Sequence, residues 1–313
     1  MIKSVSSATR GGSPRVALIT CAKLPDLDPD DRLLIDPLAR RGITAVAAVW
    51  DDPTVDWDGF DLAVLRSPWD YSMRREEFLA WARTVDRLAN PAEVVRTNTD
   101  KRYLGGLAEA GVPVVPTRWL APGGPAQTLP ADGEHVVKPA IGAGSYEAGR
   151  YDLADPHHRR LAGEHVRRLH AAGRTAMVQP YLSAVDRDGE TAMIFFGGRF
   201  SHAIRKGPML DGPYQGMEGL YRPERIEPRT PGAVERETAE RVLAAAGPVL
   251  GTTPADLLYA RVDLIPGLDG APVLVELELT EPSLFLAHDA GAAERFADVV
   301  AARLAAQPAG SPG

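Results

Sequence analysis

Apolar runs of strand length alternate with helical stretches through roughly the first hundred residues, and this predicts an α/β fold with a parallel sheet. Two further observations extend the prediction. A strand ending in Lys138 runs into a glycine-rich loop, Gly142-Ala-Gly144-Ser145, and a late pair of strands carries acidic residues at alternate positions. The C-terminal part accordingly reads as α+β. In order, Val16-Ala-Leu-Ile-Thr20 is a buried strand, and 30–40 is a helix whose start is favoured by Asp30 and Asp31 against the helix dipole. Strands over 43–49 and 61–65, a helix over 75–88 and a short strand beginning at Val94-Val95 complete a first unit, 15–97. Ligands of parallel sheets bind beyond the carboxyl ends of the strands, and Arg66-Ser67-Pro68-Trp69-Asp70-Tyr71 lies at one such end.

A second unit, 98–183, has a helix over 100–110 stopped by Gly111. Strands over 114–119, 135–138 and 175–182 and a helix over 156–172 follow. A third unit, 184–305, has strands over 191–196 and 200–205, a polar loop over 207–231 and a helix over 233–250. The acidic strand pair and a closing helix over 292–304 end it. The stretches 1–14 and 306–313 read as disordered tails. No internal repeat is evident.

The acidic pair is Tyr259-Ala-Arg261-Val-Asp263-Leu-Ile and Val273-Leu-Val-Glu276-Leu-Glu278-Leu, joined by a Gly/Pro/Asp turn. Side chains alternate between the faces of a strand. With the turn centred on Leu268-Asp269, Arg261, Asp263, Glu276 and Glu278 share one face, and Val262, Leu264, Val273, Val275 and Leu277 form the other. Clustered carboxylates repel unless a cation sits among them, and oxygen-only ligands suit Mg2+ or Mn2+. An ordinary solvated face is the alternative.

Lysine usage points the same way. Of 35 basic residues only Lys3, Lys23, Lys101, Lys138 and Lys206 are lysine. A compact ammonium kept against an arginine background suits a phosphate; surface solvation is the alternative for each taken singly. The loop after Lys138 has the wrong spacing for a dinucleotide fingerprint, and no Gly-Lys-Ser/Thr exists for a P-loop. Backbone amides covering phosphates fit it better. Gln179-Pro-Tyr181-Leu182 ends an apolar strand where a backbone edge could read adenine, with Glu190 near the ribose; a plain strand end is the alternative.

Composition excludes several classes. A net charge of −7 without a basic stripe argues against nucleic acid. A lone Cys21 leaves neither a disulfide framework nor a cysteine zinc site. Seven scattered histidines show no zinc-hydrolase spacing, and no Gly-x-Ser-x-Gly elbow exists. No apolar run approaches the roughly 20 residues that span a bilayer, and the N-terminus lacks a signal-peptide core. A cytoplasmic protein without a membrane partner is expected.

Taken in order, Asn98-Thr-Asp100-Lys101, His135-Val-Val-Lys138-Pro139 with its glycine loop, Gln179-Pro-Tyr181, Arg261-Val-Asp263, Glu276-Leu-Glu278 and Glu281-Pro282 resemble the ATP-grasp superfamily over about 98–287. The resemblance implies an ATP-grasp fold behind a Rossmann-like pre-ATP-grasp domain. It implies that Lys101, Lys138, Gly142, Gly144 and Ser145 hold ATP phosphates, and that Gln179, Tyr181, Leu182 and Glu190 surround adenine and ribose. Arg261 would face the transferring phosphoryl group, and Arg205 and Lys206 are further catalytic candidates. Asp263, Glu276 and Glu278 would hold two Mg2+; relatives often have Asn where Glu278 stands, so Mn2+ could substitute. Arg66-Ser-Pro-Trp-Asp-Tyr71, Phe200-Ser-His202-Ala-Ile-Arg205-Lys206 and Glu281-Pro-Ser-Leu-Phe285-Leu are similar to a narrower group, the cyclo-ligases that close O-ureido-D-serine into an isoxazolidinone ring. The chemistry implied is acyl-phosphate formation followed by attack of an amine. Arg66, Ser67, Trp69 and Tyr71 are then the expected substrate residues, with Arg66 or Arg205 on a carboxylate. An intermolecular ligase resembling glutathione synthetase or RimK-type enzymes, and an ATP-binding sensor or scaffold, remain alternatives. The expected partner is a small carboxylate or amino acid, with a homo-oligomer left open.

Overall fold

The computed structural model describes residues 12–124, 128–216 and 225–306. Most of the expected tails, and 217–224 of the expected polar loop, lie outside the described residues. Strands β1 (Arg15–Thr20), β2 (Thr44–Val49), β3 (Leu62–Ser67) and β4 (Leu88–Ala89) form a parallel sheet in the order β2-β1-β3-β4. The stretches 16–19 of β1 and 62–65 of β3 are apolar and buried on both faces, as a covered parallel sheet requires. Val16, Leu18, Leu62 and Val64 face one core with Leu38 of helix α1 (Ile35–Arg40). The alternating Ala17, Ile19, Ala63 and Leu65 face another with Phe78 and Leu79 of α2 (Arg75–Ala82). Phe296 and Val300 of the last helix, α8 (Ala292–Ala306), pack into the first of these cores, so the end of the chain closes its beginning.

Helices α3 (Ala92–Asn98) and α4 (Tyr103–Glu109) lead into an antiparallel sheet. It contains β5 (Arg118–Leu120), β6 (Glu134–Pro139), β7 (Gly149–Asp152) and β8 (Ala176–Pro180) in the order β5-β8-β6-β7, backed by α5 (Pro156–Ala171). A short α6 (Ala184–Asp188) connects to a second antiparallel sheet of β9 (Glu190–Phe196), β10 (Arg199–Lys206), β11 (Ile226–Arg229), β12 (Tyr259–Pro266) and β13 (Pro272–Glu278). Its order is β11-β10-β9-β12-β13, and α4 and α7 (Ala233–Leu250) cover its inner face.

Several expected elements differ. The helix expected over 75–88 stops at Ala82, and Leu88 already belongs to β4. Val94-Val95 lies inside α3: two β-branched residues suggest a strand, but Pro91 starts a helix there and both valines bury against neighbouring elements. The helix expected over 100–110 begins only at Tyr103. The strand expected over 114–119 shrinks to β5, because Pro113 and Pro116 interrupt the ladder; Val114 keeps one isolated bridge to Leu274. β11 lies in what reads as a polar loop, and β7 carries no clear strand signal in the sequence.

Asn90 links two of these layers. It is fully buried with φ 57°, a left-handed conformation that Asn tolerates better than most residues. Its amide donates to the Tyr259 (2.9 Å) and Leu279 (2.7 Å) carbonyls and accepts from the Leu258 N–H (2.8 Å). Each buried group left unsatisfied costs about 1–3 kcal/mol. Asn90→Ala is therefore expected to destabilise the protein by roughly 3 kcal/mol or more, read as a lowered urea midpoint. An unchanged midpoint would show that these three bonds do not anchor β12 to the parallel sheet.

Candidate active site

A cavity of about 730 Å³ lies where the three sheets meet. β12 and β13 form one wall, and β6, β8 and the glycine loop form another. The segments 28–33 and 281–288 close the end nearest the parallel sheet. The carboxylate face of the hairpin points into it. The pairing is Arg261 with Glu278 and Asp263 with Glu276, then Leu264 with Leu274. Val275 is thus the extra residue of a β-bulge. The four polar residues share one face as expected, but the turn is centred near Asp269, and the core face differs. Leu274 is fully buried, whereas Val275 and the four polar residues line the cavity and Val273 is only half-buried. The bulge reverses the alternation that a regular hairpin would have kept.

The cations interleave with these carboxylates. Arg261 donates to both oxygens of Asp263 (2.9 Å each from Nε and Nη2) and pairs with Glu278. Lys206 Nζ lies 2.8 Å from Asp263 Oδ2 and also pairs with Glu190. Lys101 Nζ lies 3.0 Å from Glu276 Oε1 and donates to the Gly142 carbonyl at 2.6 Å, which ties the glycine loop to the hairpin. Among the described residues, Lys138 Nζ has no hydrogen-bond or ion-pair partner, although it is aimed into the same cavity. Burial lowers its pKa, with Lys101 adding to the effect and Glu276 opposing it.

Negative charge is in excess here. Burial pushes Glu278 up to about 8, with Arg261 opposing and Glu276 and Asp263 reinforcing. Glu190 rises to about 7 by burial, against Lys206. Glu281, which accepts a hydrogen bond from Tyr71, also rises to about 7 by burial. Asp263 goes the other way: burial would raise it, but Arg261 and Lys206 hold it well below the usual range. Among the described residues no three Asp, Glu, His or Cys side chains stand together as a ready metal cage. The donor set nevertheless fits a hard divalent cation. It offers carboxylate oxygens only, and burial pushes Glu278 toward its neutral form, a shift that a cation beside it would oppose.

Most residues singled out in the sequence converge. Lys101, Lys138, Gly142, Gly144, Ser145, Gln179, Tyr181, Leu182, Glu190, Lys206, Arg261, Asp263, Glu276, Glu278 and Trp69 all line the cavity. Gln179 is held by a 2.9 Å bond to Thr117, and Tyr181 lies under the Arg150 guanidinium, 3.7 Å from its ring centroid.

Four do not. Arg66 is fully buried beneath the site: Nε donates to Asp31 (2.9 Å), and its other nitrogens donate to the Leu65 and Pro282 carbonyls (3.0 and 2.6 Å). It braces the cavity floor without lining the cavity, and its carboxylate partner is Asp31. Ser67 is equally buried, bonded to Thr20 at 3.2 Å. Tyr71 packs in the aromatic core and reaches the site only through Glu281. Arg205 turns away from the cavity and donates to the Asp188 and Arg187 carbonyls, because adjacent Lys206 takes the inward face of β10. Sequence reasoning missed Asp28, Glu281 and Phe285, which line the cavity. Glu281 and Phe285 lie within a quoted motif and were given no role.

A family model described as the N-terminal domain of D-cycloserine synthetase DcsG matches residues 16–90. The cycloserine biosynthesis protein DcsG of Streptomyces lavendulae is 41% identical over 304 residues, covering 92% of this chain and 98% of that one. The crystal structure of D-cycloserine synthetase DcsG superposes with a TM-score of 0.80 at 40% identity, over 93% of this chain and 99% of the other. An ATP-grasp RimK domain protein from Sphaerobacter thermophilus shares the fold at a TM-score of 0.60 and 20% identity, over 91% and 99% of the two chains. The D-alanine–D-alanine ligase of Bacillus anthracis complexed with ATP does so at 0.58 and 15%, over 93% and 98%.

Two expectations follow from the geometry. Arg66→Ala leaves Asp31 buried without its cation, a change that costs about 3–5 kcal/mol. The variant should melt well below the parent, while any folded fraction binds ATP normally; unaltered thermal stability would contradict the bracing role. Lys138→Ala should leave the melting temperature nearly unchanged but weaken ATP binding roughly 10- to 150-fold, the worth of one charge-assisted contact. Calorimetric titration giving the parental affinity would remove Lys138 from the nucleotide site.

Proposed function

The chain belongs to the D-cycloserine synthetase family of ATP-grasp ligases, and on that premise we propose that it closes O-ureido-D-serine into D-cycloserine at the expense of ATP. The observation that carries this reading is the convergence of Lys101, Lys138, Lys206 and Arg261 with Asp263, Glu276 and Glu278 on one cavity. Phosphoryl transfer asks a protein mainly for positioning and charge neutralisation, and this cavity supplies both.

Lys101 and Lys138 take the ATP phosphates under the amides around Gly142, Gly144 and Ser145, and Gln179, Tyr181, Leu182 and Glu190 surround adenine and ribose. Asp263, Glu276 and Glu278 would hold two divalent ions, Mg2+ or, given the extra charge of Glu278, Mn2+. When bound, such ions neutralise phosphate oxygens. Arg261 faces the transferring phosphoryl group, kept in place by Asp263, which Lys206 holds ionised. The substrate carboxylate takes the γ-phosphoryl group, ADP leaves, and the aminooxy nitrogen of the same molecule displaces phosphate from the acyl phosphate. The ureido carbon departs with water as CO2 and ammonia. In this reading 98–183 and 184–305 carry the nucleotide and metal, and 15–97 carries Trp69 to the amino-acid end of the cavity.

The test is ADP and D-cycloserine formation from ATP and O-ureido-D-serine with no second amine present. A requirement for an added amine would replace the cyclo-ligase with an intermolecular ligase. In the same assay Glu276→Gln should lose more activity than Glu278→Asn, since the ATP-grasp resemblance puts an Asn at the second position in many relatives. Near-parental turnover of Glu276→Gln at saturating Mg2+ would remove the hairpin from metal binding.

A further inference from the structure

The segment 281–287 lines the cavity end nearest the parallel sheet, and its backbone is held by side chains from several separate elements. Trp69 donates to the Glu281 carbonyl (3.1 Å), Arg66 to that of Pro282 (2.6 Å), Arg261 to that of Ser283 (3.2 Å) and His202 to that of Leu284 (2.8 Å). Next comes Phe285, with φ 51° and ψ 42°. Beyond it the two carboxylate oxygens of Asp30 accept from the amides of Leu286 (2.9 Å) and Ala287 (2.8 Å). A bulky residue occupies the left-handed region only where its surroundings impose it, and such residues gather at ligand-binding sites. The Phe285 ring reaches the cavity, beneath the Arg261 guanidinium (5.5 Å to the centroid) and edge-on to His288.

We propose that Phe285 is the wall that sets the size of the amino-acid pocket, and that Asp30 is the positioning residue that keeps it there. The inference rests on the ligase reading above. The four carbonyl anchors fix the chain before Phe285, and Asp30 fixes it after. With both ends held, the left-handed residue has no room to relax into the β or right-handed region, and its ring stays in the cavity. Apart from Arg261, which faces the transferring phosphoryl group, nothing in this arrangement reaches the nucleotide end, which β6, β8 and the glycine loop form. Loosening the segment should therefore act on the amino acid and spare ATP.

The experiment uses the full-length protein with ATP and O-ureido-D-serine, comparing the parent with Phe285→Ala and Asp30→Ala. Phe285→Ala should raise KM for the amino acid roughly tenfold or more, while KM for ATP stays within about twofold. Asp30→Ala should speed hydrogen exchange at the Leu286 and Ala287 amides roughly tenfold or more, and raise the amino-acid KM in the same direction. An unchanged amino-acid KM in Phe285→Ala would overturn the pocket-wall role, and unchanged exchange in Asp30→Ala would overturn the positioning role. A parent enzyme that forms no ADP from this substrate would overturn the cyclo-ligase reading and the pocket assignment together; an active parent with indifferent variants would overturn only the inference.

Discussion

Charge pairing across one buried strand face is the constraint on which the rest of the molecule depends. Lys101, Lys138, Lys206 and Arg261 stand among Asp263, Glu190, Glu276, Glu278 and Glu281, and a buried charge without an opposite neighbour would cost several kcal/mol. No single element could supply such a set. Lys101 comes from the break between α3 and α4, Lys138 from β6, Lys206 from β10 and Arg261 from β12. The three sheets must meet where they do for any of these groups to be compensated. The balance remains short of positive charge, which is why burial can drive Glu278 and Glu281 toward their neutral forms. A site left in this condition favours a cationic ligand and, through Lys138, retains one ammonium ready for an anionic one.

The same hairpin would be vulnerable at its free edge, because β13 ends its sheet. Two side chains and one isolated backbone bridge close that edge in place of a further strand. Tyr103 OH donates to the Leu277 carbonyl (2.7 Å) and accepts from the Leu277 N–H (2.9 Å). Asn98 donates to the Leu277 carbonyl (2.7 Å) and accepts from the Leu279 N–H (2.8 Å), and the Pro113 backbone carbonyl accepts from the Leu274 N–H (2.7 Å). The stretch around Lys101 is thus recruited twice: its helices seal the strand edge, and in doing so they deliver the lysine to the carboxylates.

Much of this was legible in the sequence where chemistry is local. Sparse lysines in an arginine background flagged Lys101, Lys138 and Lys206, and period-two spacing put Arg261 on one face with Asp263 and Glu276 on one face with Glu278; that the two pairs share a face rested on an assumed turn, and it is the bulge at Val275 that supplies it. What failed depended on distant partners. Arg66 sits at the carboxyl end of a parallel strand, where ligands bind, yet Asp31 and the Pro282 carbonyl claim it, and neither is near in sequence. Arg205 is a different kind of error: neighbours on a strand point oppositely, so Arg205 and Lys206 could not both enter the cavity. Val94 and Val95 read as strand by side-chain type but lie in a helix beginning after Pro91. Phe285 could not be foreseen, because its importance lies in a backbone conformation that residue identity does not announce.

The bulge at Val275 bears on how such a hairpin can change over generations. Register at Arg261 and Asp263 is shared with β9 as well as β13, and the extra residue lies between that pairing and the turn. Irregularity near the loop is therefore absorbed before it reaches the carboxylates. Insertions and deletions in the exposed loop around Leu268 can accumulate with little selective penalty. A one-residue slip on the far side of Val275 would turn Glu276 and Glu278 into the hydrophobic interior, so lineages should vary in the first region and keep constant length in the second.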